Sequence, residues 1–551
     1  MKRLYNVVAV LLITAMMLPI SSCEDELTSG SSIDVSGDLL TANTAGLNML
    51  LRSAYVTLLF GELTAAGQEV ATYVGIPGFN LYYDLSGQDA VVTTNYGMSP
   101  LECYKFDPNR TNAGLYGVKI WRMMYLIINQ ANTILDALPT AEGEQADKDA
   151  LEGQSKAIRG ICYFHLMLTY QQTYSIAQNK RGVILRTSGE QPLSLGFSTV
   201  QECYDQIVSD LSDAKTKLAG FNRAEKWQVN ADVATGYLAR VYQVMERWDD
   251  ALREATTVYN KYNVLMTKEE WCGGQADIEI PEIIWASINT NVSGHGNSPF
   301  LYWHNQDPDY GEGMTDGPIY SYLSIFVDQK YVDLFDDTDY RGTKCTKTWK
   351  EGDPETNHVT NADTKPVIFW HRTRAQAAWR DKWAYNKFKY YGDEPGGTQQ
   401  PDRADYSILR SSEMLLIKAE AEANLGNTAA LATLNTLQAR RNAQLTTATD
   451  KAQLLEAIYV ERRKELLGEG VTGMYDNVRL KRDMIRYGET ADNPAGHFFW
   501  GLTNLDAVSD NVAKMPSNDY RYFCQIPVSE FANNTAINEA TDQNPFSGQG
   551  N

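Results

Sequence analysis

The chain has 551 residues, with 69 Asp plus Glu against 49 Lys plus Arg for a net charge of -20, and 43% hydrophobic side chains. That much apolar material can bury a large core and excludes fibrous and disordered classes, while the acidic balance and the lack of a basic stripe exclude nucleic-acid binding. The aromatics are weighted to Tyr (32) and Trp (11) over Phe (16), side chains that couple an apolar face to a polar handle.

Lys2 and Arg3 precede an apolar run over residues 4–18, and Ile20-Ser21-Ser22 places small residues before Cys23. A positive start followed by an apolar stretch shorter than the ~20 residues of a spanning helix predicts an export signal over residues 1–22. The small residues before Cys23 resemble a bacterial lipobox, although Ile20 stands where leucine is usual; the likeness implies acylation of Cys23 and membrane anchoring. An ordinary cleaved signal with a chance cysteine is the blander alternative. Glu24-Asp25-Glu26 and the Ser-, Gly- and Asp-rich residues that follow predict a flexible acidic tether, 23–40, whose start resembles the surface-export signal of outer-membrane lipoproteins. One domain is expected over 41–551. The other six cysteines lack metal-site or CxxC spacing and read as buried small apolar groups.

Residues 60–115 are rich in Gly, Asn, Asp and aromatics and predict a long irregular insertion. Helical repeats are expected over about 115–265. Ile120, Met124, Ile127, Ala131, Ile134 and Leu138 recur at steps of four and three, and Pro139 ends the pattern; Ala157, Ile161, Phe164 and Leu168 mark the next helix, which runs through Gly153 to Phe164. Leu238, Ala239, Tyr242 and Ala251 fall at the spacings of a tetratricopeptide helix pair broken at Glu246-Arg247-Trp248. A second irregular insertion is expected over about 266–405, with short strand-like runs at residues 280–288 and 367–370. Helical repeats resume over about 405–490. Ser411-Ser412-Glu413 reads as an N-cap before a helix with Ala419, Ala421 and Ala423; Ala430, Leu434 and Leu437 mark its return; a third helix spans Ala452 to Leu467. Within it, Glu461-Arg462-Arg463-Lys464-Glu465 interleaves opposite charges at helical spacing and predicts a paired, solvated face. Such helix pairs must stack to bury their apolar faces, so the fold expected is mostly α, a tetratricopeptide-like helical-repeat scaffold with long irregular insertions.

There is no HExxH, GxSxG or Walker loop, and none of the six histidines forms a ligand-spaced pair, so no metal, cofactor or catalysis is expected. The one GxGxxG, Gly468 to Gly473, follows a helix rather than a strand and reads as a helix stop with a tight turn. Carboxylates such as Asp307 and Asp309 leave a glycosidase pair open, because such a pair is defined by spatial separation. Long loops dense in aromatics usually carry function. Sugars present C–H faces ringed by hydroxyls, which aromatic rings cover while Asn and Asp pair with the hydroxyls. Two clusters have that composition. The ring-stacking candidates are Tyr82, Tyr96, Tyr302 and Trp303; the hydroxyl-pairing candidates are Asp84, Asp89, Asn95 and Asn305. The alternative for each aromatic is packing of a loop onto the scaffold.

Tyr406-Ser407-Ile408-Leu409-Arg410 running into Ser411-Ser412-Glu413-Met414, the run Glu461-Arg462-Arg463-Lys464-Glu465-Leu466, the ending Gln525-Ile526-Pro527-Val528-Ser529-Glu530 with Asn544-Pro545, and Phe335-Asp336-Asp337-Thr338-Asp339-Tyr340-Arg341 together resemble the SusD/RagB family of outer-membrane nutrient-binding lipoproteins of Bacteroidetes. The resemblance covers nearly the whole mature chain. It implies a tetratricopeptide-containing scaffold with a ligand-binding half, anchored through Cys23 on the outer leaflet. It also implies capture of oligosaccharide without cleavage and delivery to a SusC-like TonB-dependent transporter. Uptake of peptide or another nutrient, and a periplasmic helical-repeat scaffold, are the competing expectations.

Overall fold

The computed structural model describes residues 40–60, 75–92, 103–106, 112–275, 277–288, 325–348, 368–373, 382–388 and 405–545. Its longer helices are α1 (Thr44–Phe60), α2 (Gly75–Leu85), α3 (Leu115–Ala137), α4 (Gln145–Tyr170), α5 (Val200–Lys217), α6 (Ala231–Val244), α7 (Trp248–Lys261), α8 (Ser411–Asn424), α9 (Ala430–Arg440), α10 (Lys451–Leu466) and the short α11 (Met474–Arg479). From α3 to α7 each helix packs on the next, as tetratricopeptide-like pairs do, and α7 then packs on α8, which carries α9 and α10. The two repeat regions are one stack, although the chain between Lys261 and Ser411 separates them.

Amphipathic spacing accounts for most of these elements. All six apolar positions of α3 are buried, as are Leu238, Ala239, Tyr242 and Ala251 of the α6–α7 pair. Close approach is built in at Gly236, where an added Cβ would meet a Leu409 methyl at 2.5 Å. Polar caps start several helices: Thr199 and Glu202 form a capping box on α5, Asn230 caps α6 and Asp450 caps α10. Helix α4 begins at Gln145, eight residues before the Gly153 from which the pattern is read. The start of α8 differs from expectation. No side chain caps it, because strand β7 runs directly into the helix and the Ser411 N–H is taken by the Glu282 carbonyl (3.0 Å).

The strands are β1 (Ala90–Val92), β2 (Ile283–Ser287), β3 (Ile325–Val327), β4 (Lys344–Thr348), β5 (Phe369–Thr373), β6 (Lys382–Tyr385), β7 (Tyr406–Arg410), β8 (Met484–Tyr487), β9 (Asp506–Ser509) and β10 (Val512–Met515). They form a five-stranded sheet ordered β1-β3-β6-β5-β4, parallel only between β4 and β5, a β2–β7 pair, and a β8-β10-β9 sheet. The region 60–115 is thus not wholly irregular: it contains α2, every residue of which is buried, and β1. The strand-like runs expected near 280–288 and 367–370 appear as β2 and β5. Cys103, Cys162, Cys203, Cys272 and Cys524 are buried.

Candidate ligand-binding region and the charged core beneath it

Three of the sequence-derived contact candidates lie in the described residues, and all three are interior. Tyr82 packs edge-on against Tyr83 at 5.6 Å and donates its hydroxyl to the Tyr522 carbonyl (3.3 Å). Asp84 is buried in the Gly468–Gly473 turn: the Gly468 and Gly470 N–H groups donate to Oδ2 (3.0 and 2.9 Å) and the Thr472 hydroxyl to Oδ1 (2.8 Å). Burial pushes its carboxyl up to about 7, against the pull of these donors. Asp89 accepts from Arg463 Nε (2.9 Å) and Nη2 (2.5 Å). The assignment of Tyr82, Asp84 and Asp89 to ligand contact is corrected accordingly. A buried helix whose tyrosines find internal partners has the same composition as a sugar-binding loop, so the cluster could not be told apart by composition.

The glycine motif does stop α10 and turn the chain, with φ of +93° at Gly468, +73° at Gly470 and +50° at Gly473. Its Gly468 and Gly470 amides are spent on Asp84, and a Cβ on Gly470 would sit 2.3 Å from Asn80.

Asn95, Tyr96, Tyr302, Trp303 and Asn305, together with Cys23, Asp307 and Asp309, lie outside the described residues. The strands that carry the two insertions are described. Val92, the last residue of β1, pairs with Ile325, the first of β3. Residues 93–102, with Asn95 and Tyr96, follow the first in sequence and residues 289–324, with Tyr302, Trp303 and Asn305, precede the second, so the roots of the two segments are cross-strand neighbours, about 5 Å apart at Cα. Strand β6, antiparallel to β3 through Val327 and Trp383, ends on the same side and leads into residues 389–404.

Below this sheet the charged run of α10 does something other than face water. Glu461, Arg462, Lys464 and Glu465 are buried. Glu465 Oε1 accepts from Arg410 (3.0 Å) and Arg441 (2.9 Å), and Oε2 from Arg341 (2.8 Å) and Arg441 (3.0 Å). Glu282 accepts from Arg410 (2.5 Å) and Arg441 (3.1 Å). Glu469 takes Lys387 (2.6 Å) and Arg410 (2.6 Å); Asp339 takes Arg341 (2.8 Å) and Lys464 (2.6 Å); Glu461 takes Arg341 (2.7 Å). Five carboxylates therefore face five cations in the interior. The solvated-face expectation fails because the compensating charges come from β7, from Arg441 at the end of α9 and from the Asp339-Tyr340-Arg341 turn, all outside the run. Burial alone would raise the Glu465 carboxyl; the Arg441, Arg410 and Arg341 guanidiniums outweigh it and hold it well below the usual carboxylate range. Sequence reasoning missed this network, although Asp339, Arg341, Arg410, Glu461, Lys464 and Glu465 sit inside the motifs that carry the family resemblance.

Other chemistry is sparse. Among the described residues no group of three or more His, Cys, Asp or Glu is placed to hold a metal, and no helix is long and apolar enough to cross a membrane. A cavity of about 20 Å³ between Tyr83, Met167, Tyr204 and Tyr475 has room for a water, not a sugar ring.

The fold defines a helical-repeat scaffold joined to a mixed sheet from which the two long insertions are rooted. The SusD family profile matches residues 281–546, and a SusD-like profile described as starch-binding and associating with the outer membrane matches residues 82–243. This chain belongs to the SusD/RagB family. It is similar in structure to a SusD-like carbohydrate-binding protein of Bacteroides vulgatus, at 24% identity and TM-score 0.73 over 90% of this chain and 98% of that one. A putative sugar-binding protein of Bacteroides vulgatus (23%, 0.66, 91% and 98%) and a SusD superfamily protein of Bacteroides thetaiotaomicron (23%, 0.66, 91% and 100%) share the fold. No curated protein matches the chain.

Proposed function

We propose that this protein is a cell-surface glycan-binding lipoprotein that captures oligosaccharides and passes them to a SusC-like TonB-dependent transporter without cleaving them. The observation that carries the reading is the Val92–Ile325 pairing, which sets the root of the segment with Asn95 and Tyr96 beside that of the segment with Tyr302, Trp303 and Asn305 on one sheet end in a chain of the SusD/RagB family. The descriptions of its relatives as starch-binding, carbohydrate-binding and outer-membrane-associated support the ligand class and the compartment. In this reading Tyr96, Tyr302 and Trp303 stack on sugar faces, Asn95 and Asn305 pair with hydroxyls, and acylated Cys23 with the 23–40 tether holds the domain at the outer leaflet. Uncharged ligands suit a protein of net charge -20, whose surface repels other anions.

The test is calorimetry of the lipid-free mature chain against a panel of neutral oligosaccharides, with Trp303→Ala as the discriminating variant. Binding to at least one glycan, lost in Trp303→Ala at unchanged circular dichroism, supports the reading. Binding to peptides and no glycan, or release of shortened sugars from a bound glycan, overturns it.

A further inference from the structure

At the other end of the β1–β3 ladder, away from the insertion roots, one buried carboxylate oxygen is left unprovided for. Asp328 directly follows β3. Its N–H donates to the Asp89 carbonyl (2.9 Å) and its Oδ1 accepts from the Lys330 N–H (2.6 Å), capping the short helix Gln329–Val332. Its Oδ2 is buried without a hydrogen-bond partner and lies 3.9 Å from Nε2 of His497. Bringing that separation into hydrogen-bond range takes a movement of about 1 Å.

The imidazole state follows from its other contacts. Nε2 is 2.9 Å from the Gln88 carbonyl oxygen and Nδ1 is 2.7 Å from the Tyr104 hydroxyl. A carbonyl oxygen only accepts, so the proton is on Nε2, and Nδ1 accepts from Tyr104. Burial, with the nearby Arg486 charge, keeps the ring neutral by holding its pKa well below the ordinary value. One Nε2–H therefore stands between two acceptors, the carbonyl it bonds and the unpaired carboxylate oxygen.

We propose that Asp328 and His497 form a proton-operated coupling: loss of the Asp328 carboxyl proton to solvent charges Oδ2 and draws the imidazole Nε2–H off the Gln88 carbonyl, slackening the tie between the entry to β1 and the segment that ends at His497. The surroundings leave the carboxyl free to titrate near neutrality. Burial pushes it up to about 7; the Lys330 N–H opposes, and Asp89 adds to the rise. Asp89 is itself held by Arg463 of α10, while Lys382 of β6 faces the group with its ammonium bound to the Pro494 and Gly496 carbonyls and Glu489. Arg486 of β8 spends its guanidinium on the Leu85, Gly87, Tyr104 and Gly501 carbonyls. With a folded pKa above the unfolded one, the Asp328 contribution to stability is full below pH ~4 and is lost as pH rises through about 7.

The experiment is nitrogen NMR of the full mature chain with labelled histidine, from pH 5.5 to 8.5, His497 being assigned through His497→Gln, with urea unfolding at the same pH values. The expected result is a His497 Nε2 resonance that moves with a midpoint near 7 while the ring stays neutral, a movement absent in Asp328→Asn. The urea midpoint should also fall with rising pH more steeply in the wild type than in Asp328→Asn; any Asp84 titration is common to both and cancels in the difference. A flat His497 signal, a signal that becomes imidazolium, or one that moves identically in Asp328→Asn overturns the proposal. Should Asp328→Asn fail to fold, the wild-type resonance alone decides.

Discussion

Replacing Glu465 by Gln removes one charge from the centre of the buried network while keeping its shape. The carboxylate accepts four hydrogen bonds of 2.8–3.0 Å from three guanidiniums. Each pair, with charge centres about 4 Å apart, is worth about 4 kcal/mol at an effective dielectric of ~20. The loss is partly recovered as Arg341, Arg410 and Arg441 lean on Asp339, Glu461, Glu282 and Glu469, but four carboxylates then face five cations. Breaking a buried pair from one side costs about 3–5 kcal/mol, and that is the expected destabilisation. Urea unfolding followed by tryptophan fluorescence suits the site, because buried Trp271 places Nε1 3.4 Å from Glu465 Oε1. Coupling with Arg441→Met should be strong, the double variant losing much less than the sum of the singles. The folded pKa of Glu465 is depressed, so its contribution is present above the unfolded pKa of ~4.3 and disappears as pH falls through the folded value; between pH 5 and 8 the deficit of the variant should not change. A loss below ~1 kcal/mol, or additive behaviour with Arg441→Met, would refute a buried and interdependent network.

Glu456→Gln, which breaks an exposed pair with Arg482, should move the urea midpoint by no more than the equivalent of ~0.5 kcal/mol. Gly470→Ala forces a Cβ against Asn80 at a positive φ and should cost upward of ~2 kcal/mol, read as a lowered urea midpoint or loss of soluble protein. Thr199→Ala opens the capping box of α5 and should cost about 1 kcal/mol in the same assay. Cys23→Ala should move the protein from the membrane fraction to the soluble fraction on cell fractionation; retention in the membrane would count against the lipid anchor.

Periodicity made the helical stack legible because a helix that packs on one side writes its buried stripe into nearby residues, as Ile120 to Leu138 show. Helix α5 carries such a stripe in Val200, Cys203, Tyr204, Ile207, Leu211 and Ala214, which spacing alone would have found. The run at 461–465 misled because charge is usually solvated and its partners, Arg341 and Arg410 among them, are brought up only by the tertiary fold. Tyr82, Asp84 and Asp89 misled for a related reason: a Tyr–Asp cluster has one composition whether its polar atoms meet sugar hydroxyls or internal amides. The change of texture between helical repeats showed where the stack of helices is interrupted. Individual contacts depend on which side chains the sheet turns inward, and three-residue strands such as β1 are too short to reveal it.

Direct packing of α7 on α8 makes the scaffold a socket. A segment that departs after one helix and returns before its spatial neighbour can be lengthened, shortened or exchanged at little entropic cost, about 0.6 kcal/mol per doubling of length. Five prongs from that segment, Glu282, Asp339, Arg341, Lys387 and Arg410, plug into the charged interior of the stack. Any exchange is therefore free in its remaining sequence only so long as it brings two carboxylates and three cations to the same contacts. A chimera that respects these five positions should fold around a foreign loop, and one that omits them should not.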